Sequence, residues 1–204
     1  MFSPLTQQLI EDLCCLPGVG KKTAQRMAFT LLSQKKRKKG EQLGQTLLNA
    51  MEKIGYCNSC QTYSEQPQCD LCSNPKRDQA LLCVVESPAD IAAIEQTHSY
   101  RGIYFVLHGR LSPLDGIGPH ELGIPLLIER IHNNQVREVI LASNPTMEGK
   151  ATAHFIASQL DQNTISLSRI AFGVPLGGEI EYLDGNTLAH AFDSRRPFAQ
   201  DHPL

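Results

Sequence analysis

Apolar positions change their spacing along the chain, and each regime predicts a different kind of structure. Up to residue 55, Leu5, Leu9, Leu13 and Leu16 recur at helical steps, as do Ala24, Met27, Ala28 and Leu31, and then Leu43, Leu47, Ala50, Met51 and Ile54. Each set falls on one face of a helix. Three amphipathic helices in so short a stretch cannot each bury a separate core, so they must pack on one another, on the next domain, or on a second copy of the chain. Residues 56–79 are polar and turn-rich, with too few apolar side chains to fold unaided, and so require a staple. From about residue 80 apolar runs alternate with helical segments: strands at Leu81–Val85, Ile103–Leu107, Val139–Ala142 and Ser168–Phe172, with helices at Pro88–Gln96, His120–Ile131 and Ala151–Leu160 between them. That order predicts βαβ units, hence an α/β fold with a mainly parallel sheet covered on both faces. Residues 174–204 hold Gly177-Gly178, a short helix over Leu188–Phe192, and a polar, proline-containing tail expected to be mobile.

With 204 residues and 41% hydrophobic content, the chain can bury one full core or two modest ones. No apolar run reaches the roughly 18 residues of a bilayer span, and Met1-Phe2-Ser3-Pro4 lacks the pattern of a secretory leader, so a cytoplasmic protein with no membrane partner is expected. The formal net charge of -2 argues against a chain coated in basic residues, yet it is an average of opposites. Residues 1–55 carry nine basic side chains against four acidic ones, and the remainder carries ten against seventeen. The chain has a basic head and an acidic body.

Leu13-Cys14-Cys15-Leu16-Pro17-Gly18-Val19-Gly20-Lys21-Lys22-Thr23-Ala24 sets a Gly-hydrophobe-Gly turn between two amphipathic helices. The glycines permit a tight turn and leave backbone N–H groups at the start of the second helix, where the dipole favours a phosphate. Gly18, Val19, Gly20, Lys21, Lys22 and Arg26 are the candidate DNA contacts, of the kind that grips the nucleic-acid backbone without reading sequence. The arrangement resembles a helix-hairpin-helix, the bland alternative being a helix turn with glycine for packing. Lys35-Lys36-Arg37-Lys38-Lys39 reads either as a solvated run at a helix end, where cations suit the dipole, or as non-specific phosphate contact.

Seven cysteines in a chain expected to be cytoplasmic suggest metal before disulfide. Cys57-Asn58-Ser59-Cys60 and Cys69-Asp70-Leu71-Cys72 are two CxxC knuckles that can aim four thiolates at one Zn²⁺. Four thiolates leave no open position, so the zinc would be structural and would supply the missing staple; a redox CxxC is the competing reading. Cys14, Cys15 and Cys83 lie in apolar segments and read as buried thiols.

Glu86 closes the first strand of the sheet region, and Ser87-Pro88-Ala89-Asp90 reads as a helix cap with proline at the first helical position. Ser143-Asn144-Pro145-Thr146-Met147-Glu148-Gly149 comes after the third strand. The layout resembles a Toprim domain, in which a glutamate and a later Asp-x-Asp pair hold Mg²⁺, but Asn144 and Thr146 stand where that pair would be. Two neutral oxygens are poor Mg²⁺ ligands, so neither Mg²⁺ nor catalysis is expected. The rival readings are a Mg²⁺-dependent nuclease or strand-passing enzyme of Toprim type, and a zinc-stapled adaptor that makes no DNA contact.

These motifs, in this order, together with Tyr104-Phe105-Val106-Leu107-His108-Gly109-Arg110 and Gly173-Val174-Pro175-Leu176-Gly177-Gly178-Glu179, resemble the RecR family of bacterial recombination proteins over nearly the whole chain. The resemblance implies a non-catalytic DNA-repair mediator with a helix-hairpin-helix domain at 1–55, a four-cysteine zinc finger at 56–79, a Toprim domain at 80–173 and a C-terminal oligomerisation segment at 174–204. It further implies action with RecO and RecF in loading RecA onto gapped DNA, and homodimers or tetrameric rings wide enough to surround a duplex. Glu86, Asp90 and Glu148, no longer a metal site, are then expected to form an acidic face for a basic partner such as RecO.

Overall fold

The computed structural model describes residues 2–133, 136–161, 163–171 and 173–195, and divides into two compact units, Met1–Ile54 and Gly55–Leu204. The first unit is helical, with α1 (Pro4–Leu13), α2 (Lys21–Leu32) and α3 (Arg37–Lys53). Ser3 opens α1, its hydroxyl accepting from the Thr6 N–H at 3.3 Å, and proline occupies the first turn, where a missing N–H costs nothing. Ala24 and Ala28 lie one turn apart on α2 and let α1 approach closely; with Ile10 they are buried, and Leu9, Leu13, Cys14 and Val19 pack around them. Leu5 remains 81% exposed, and Leu16 falls in the turn after α1. α3 buries no residue, so the stripe predicted there exists as an exposed apolar face containing Leu43, Leu47 and Met51.

Two readings of this unit need correction. α1 ends at Leu13, so Cys15 sits in the turn and is exposed, while Cys14 is half-buried with its thiol donating to the Ile10 carbonyl at 3.2 Å. The basic run does not end a helix: Lys35 and Lys36 are in the turn after α2, and Arg37, Lys38 and Lys39 form the opening turn of α3, which has no side-chain cap and no acidic residue there. The helix can begin before Gly40 because that glycine lies against α2; a Cβ on it would be 3.2 Å from the Leu31 carbonyl oxygen.

The second unit opens with a short antiparallel hairpin, β1 (Gly55–Tyr56) and β2 (Tyr63–Ser64), and the single turn α4 (Asp70–Ser73). Then come β3 (Asp78–Val85), α5 (Pro88–Gln96), β4 (Gly102–Val106), α6 (Ile124–Asn133), β5 (Glu138–Ala142), α7 (Met147–Ser158), β6 (Ser166–Arg169) and α8 (Gly185–Asp193). The four strands pair in parallel in the order β4-β3-β5-β6, so the predicted parallel sheet is present. Its two faces arise from the two-residue period of β3. Leu82 and Val84 join Ile103, Phe105 and Val139 beneath Leu127 and Ile131 of α6 and Ile156 of α7. Cys83 and Val85 join Tyr104 and Val106 beneath Ile91 and Ile94 of α5.

α5 has the predicted limits; α6 and α7 do not. Residues 119–123 form turns, Gly123 takes a left-handed φ of 64°, and α6 starts only after it. α7 starts at Met147 rather than Ala151, capped by Thr146, whose hydroxyl accepts from the Gly149 N–H at 3.0 Å. Gly149 lies ahead of the predicted start and is required by close packing, since a Cβ on it would collide with the Asn144 carbonyl oxygen and lie 3.0 Å from Glu86 Oε1. Phe172 and the polar tail beyond residue 195 lie outside the described residues.

Candidate functional site

Three candidate regions come from the sequence: the glycine turn, the cysteine knuckles and the strand-end acids. In the first unit, Gly18 adopts a left-handed φ of 77°, and Gly20 is the extended residue from which α2 begins, with no side chain bonding the helix N-terminus. Lys21, Lys22 and Arg26 are exposed on its first turns, and Val19 is half-buried against the α1–α2 contact. Lys22 and Arg26, one turn apart, line an open groove along α2 with Phe29 and Ser33. Backbone donors, a positive dipole end and exposed cations therefore coincide, a combination suited to phosphate.

The two knuckles converge. The four sulfur atoms of Cys57, Cys60, Cys69 and Cys72 all lie within 4.8 Å of one another, with Cys60 and Cys69 at 3.5 Å, and none is in a disulfide. Tetrahedral zinc with Zn–S bonds of about 2.3 Å places sulfurs about 3.8 Å apart, so the arrangement fits that ion. The Cys69 N–H donates to Cys57 Sγ at 3.3 Å, the type of backbone support a thiolate ligand needs. Hydrogen bonding with the Cys60 thiol, and then Arg130, lower the Cys72 thiol to about 6 despite its burial. The bond to Cys72 raises Cys60, and burial raises Cys69. Cys83, deep in the sheet, is pushed up to about 12 by burial, with a smaller contribution from Asp90.

The knuckles are bonded into the sheet domain. The Val106 N–H at the end of β4 donates to the Cys60 carbonyl at 2.9 Å, and His108, in a left-handed conformation, bonds the Gln61 carbonyl. The His108 ring also packs on Tyr56 and Tyr63, at 5.0 and 5.3 Å between centroids. Arg130 of α6 reaches the carbonyls of Ser59 and Tyr104. Neither Arg130 nor His108 stands out as a site residue in the sequence, although an arginine amid the buried stripe Leu127, Arg130 and Ile131 is a visible break of pattern.

The strand-end acids do not form the exposed acidic face expected of them. Glu86 is only 7% exposed, and its two oxygens accept from the Asn144 N–H at 2.8 Å and the Asn144 side-chain amide at 2.7 Å. Asp90 is half-buried and accepts from the Ser87 N–H and hydroxyl, closing the cap of α5. Glu148 alone of the three is exposed. Glu86 and Asp90 are both drawn inward by donors, Asp90 by those of its own helix cap and Glu86 by those of Asn144 after the neighbouring strand β5. Asn144 thus supplies donors where a metal-binding Toprim site would supply a carboxylate, and Thr146 is occupied in capping α7.

Comparison with known proteins agrees with this layout. Family models match in four consecutive segments: "RecR, helix-hairpin-helix" at residues 6–51, the RecR four-cysteine zinc finger domain at 54–74, "Toprim domain" at 80–171 and "RecR, C-terminal" at 173–196. Recombination protein RecR of Coxiella burnetii (strain RSA 493 / Nine Mile phase I) is 62% identical over 197 residues, covering 97% of this chain and 98% of the relative. Recombination protein RecR of Stutzerimonas stutzeri (strain A1501) is 56% identical over 198 residues, again covering 97% and 98%. No helix among the described residues is long and apolar enough to cross a membrane. A glycine turn presenting cations, a four-cysteine cluster and a parallel sheet with an amide-closed glutamate, joined to identity of this extent over nearly all of both chains, lead to one assignment: the chain belongs to the RecR family of recombination proteins.

Proposed function

We propose that the chain is a non-catalytic, DNA-binding mediator of recombinational repair that works in the cytoplasm. The observation that carries the DNA-binding reading is the uncapped start of α2 beside Lys21, Lys22 and Arg26. In this reading residues 1–55 hold DNA through Gly18, Val19, Gly20, Lys21, Lys22 and Arg26; residues 56–79 are stapled by structural zinc on Cys57, Cys60, Cys69 and Cys72; residues 80–173 form the Toprim domain; and 174–204 serve oligomerisation. The protein assembles as a dimer or tetrameric ring around DNA and acts with RecO and RecF, and through them with RecA. Glu148 is the remaining acid available to a basic partner, and reversal of its charge tests that contact. The exposed apolar face of α3 supports self-assembly, since Leu43, Leu47 and Met51 find no cover in their own unit. The Asn144 amide on Glu86 supports a non-catalytic role without Mg²⁺, because the glutamate is already satisfied.

The direct test is the double substitution Lys21→Ala, Lys22→Ala, followed by fluorescence anisotropy on a labelled duplex across a salt series. Loss of two phosphate contacts should weaken binding for every sequence and reduce the salt slope by about two per subunit engaged. An unchanged affinity and slope would sink the assignment of the hairpin. Mg²⁺-dependent DNA cleavage that Glu86→Gln abolishes would overturn the non-catalytic reading.

A further inference from the structure

We infer that Arg130 is the built-in counter-ion of the four-cysteine centre, a positioning residue that couples zinc occupancy to the parallel sheet. This rests on the zinc reading proposed above. Arg130 is 9% exposed, on the stripe of α6 that packs against the sheet. Its Nη1 donates to the Ser59 and Tyr104 carbonyls, the latter at 2.6 Å; its Nη2 lies 4.0 Å from Cys72 Sγ; its Nε is buried without a hydrogen-bond partner. One guanidinium thus meets three pieces of structure: the first knuckle, in which Ser59 lies between Cys57 and Cys60; the second knuckle, through Cys72; and β4, through Tyr104.

A desolvated guanidinium is costly unless an anion compensates it. Among the described residues the ion pairs are Arg37–Glu41 and Arg77–Glu95, so no carboxylate performs that service for Arg130. The two carbonyls offer dipoles but no charge. Of the groups it touches, Cys72 is the one able to carry a full negative charge, and four thiolates around one Zn²⁺ retain two negative charges. A cation placed at the edge of that centre lowers the cost of burying it, and the centre in turn justifies burying the cation. A distance of 4.0 Å is long for a hydrogen bond but short for a charge interaction. Loss of zinc leaves Arg130 beneath the end of β4 without its compensating charge, and loss of Arg130 leaves the zinc centre more electron-rich and more readily released.

The test uses full-length wild type, Arg130→Met, which keeps the packed stem without the charge, and Arg130→Lys, which keeps the charge without the fork. Zinc content is measured first, then the rate of zinc transfer to a chromogenic chelator, with circular dichroism as the check on folding. Loss of an outer-shell partner of this kind should speed release by about tenfold to a hundredfold in folded Arg130→Met, with Arg130→Lys in between. In the cobalt-substituted protein the sulfur-to-metal charge-transfer band should move to lower energy in Arg130→Met, a change that lost packing alone would not produce. Wild type that holds no zinc would overturn the zinc reading and this inference with it. Wild type that holds zinc, with a folded Arg130→Met whose release rate and cobalt band match it, would overturn this inference and leave the zinc reading standing. If Arg130→Met fails to fold, the neutral Arg130→Gln, which keeps a hydrogen-bond donor without the charge, decides: severalfold faster release supports the counter-ion role, and a rate equal to wild type refutes it.

Discussion

Replacing Asn144 by aspartate puts the carboxylate of an active Toprim site back where this chain has an amide. The substitution keeps size and shape but converts the donor that holds Glu86 Oε2 at 2.7 Å into a second acidic group beside a glutamate that is 7% exposed. Two ionised carboxyls at contact distance repel strongly, so the less costly course is for the introduced group to take up a proton and donate it to Glu86. From an ordinary aspartate value near 3.9, holding that proton costs about 1.4 kcal/mol per pH unit, which sets a ceiling of about 4 kcal/mol at pH 7 and about 1.5 kcal/mol at pH 5, since residue 144 is exposed and an ionised side chain there can turn to water. The proton affinity of the folded variant is thus raised above that of its unfolded chain. Asn144→Asp should nearly match wild type below about pH 4 and fall progressively behind it as pH rises. A loss of about 4 kcal/mol corresponds to about 8–16 °C in melting temperature for a unit of this size. All five tyrosines lie beyond residue 55, and the chain has no tryptophan, so tyrosine fluorescence reports the second unit selectively. Thermal melts of the zinc-loaded protein between about pH 5 and 8 in Mg²⁺-free buffer without chelator would supply the numbers, and millimolar Mg²⁺ should restore part of the loss, because a pair of carboxylates now faces the ion. A melting temperature within about 2 °C of wild type at every pH would refute the claim that Asn144 holds Glu86.

Two further outcomes are expected from neighbouring geometry. Gly149→Ala forces a Cβ against the Asn144 carbonyl and close to Glu86 Oε1, so the loop must shift and its charge-assisted hydrogen bonds stretch; a loss of about 3 kcal/mol is expected by urea titration, and a loss under about 1 kcal/mol would contradict the packing. Glu95 accepts from Arg77, and also from Tyr104 at 2.5 Å, bonds that hold its carboxyl below the usual range. Its contribution is complete above the unfolded value near 4.3 and disappears as pH falls through the depressed folded value, so Glu95→Gln should destabilise at about pH 7 and converge with wild type in acid; equal destabilisation at both ends of the range would count against the ion pair.

The order of strands and helices is legible in the sequence because buried parallel strands such as Leu82–Val85 are apolar without interruption, and turn residues separate them from periodic segments. The cap of α5 is legible for a similar reason, since Ser87, Pro88 and Asp90 act within one turn. The cysteine cluster is legible in its spacing, which needs no knowledge of distant residues. What escapes depends on contacts remote in sequence. The start of α7 reads as Ala151 until Gly149 is seen packed on Asn144 inside the helix, and Glu86 reads as an exposed strand-end acid until the same asparagine closes over it. Arg130 meets Ser59 and Cys72 only because the sheet carries α6 across to the knuckles. The basic run at 35–39 suggests a helix end yet spans a helix start, because a charge pattern alone does not say whether a run closes one helix or opens the next.

The position of that run sets the energetics of α3. Arg37, Lys38 and Lys39 occupy the pole of the helix where the peptide dipoles already concentrate positive charge, and each is opposed there by about 0.3–1 kcal/mol. The first turn is therefore electrostatically frustrated in the free protein, and any polyanion that settles on it removes the frustration as it binds. Simple salt then acts in two opposite senses on the same residues: it screens the repulsion and firms the helix, while competing for the charges that would hold a phosphate backbone.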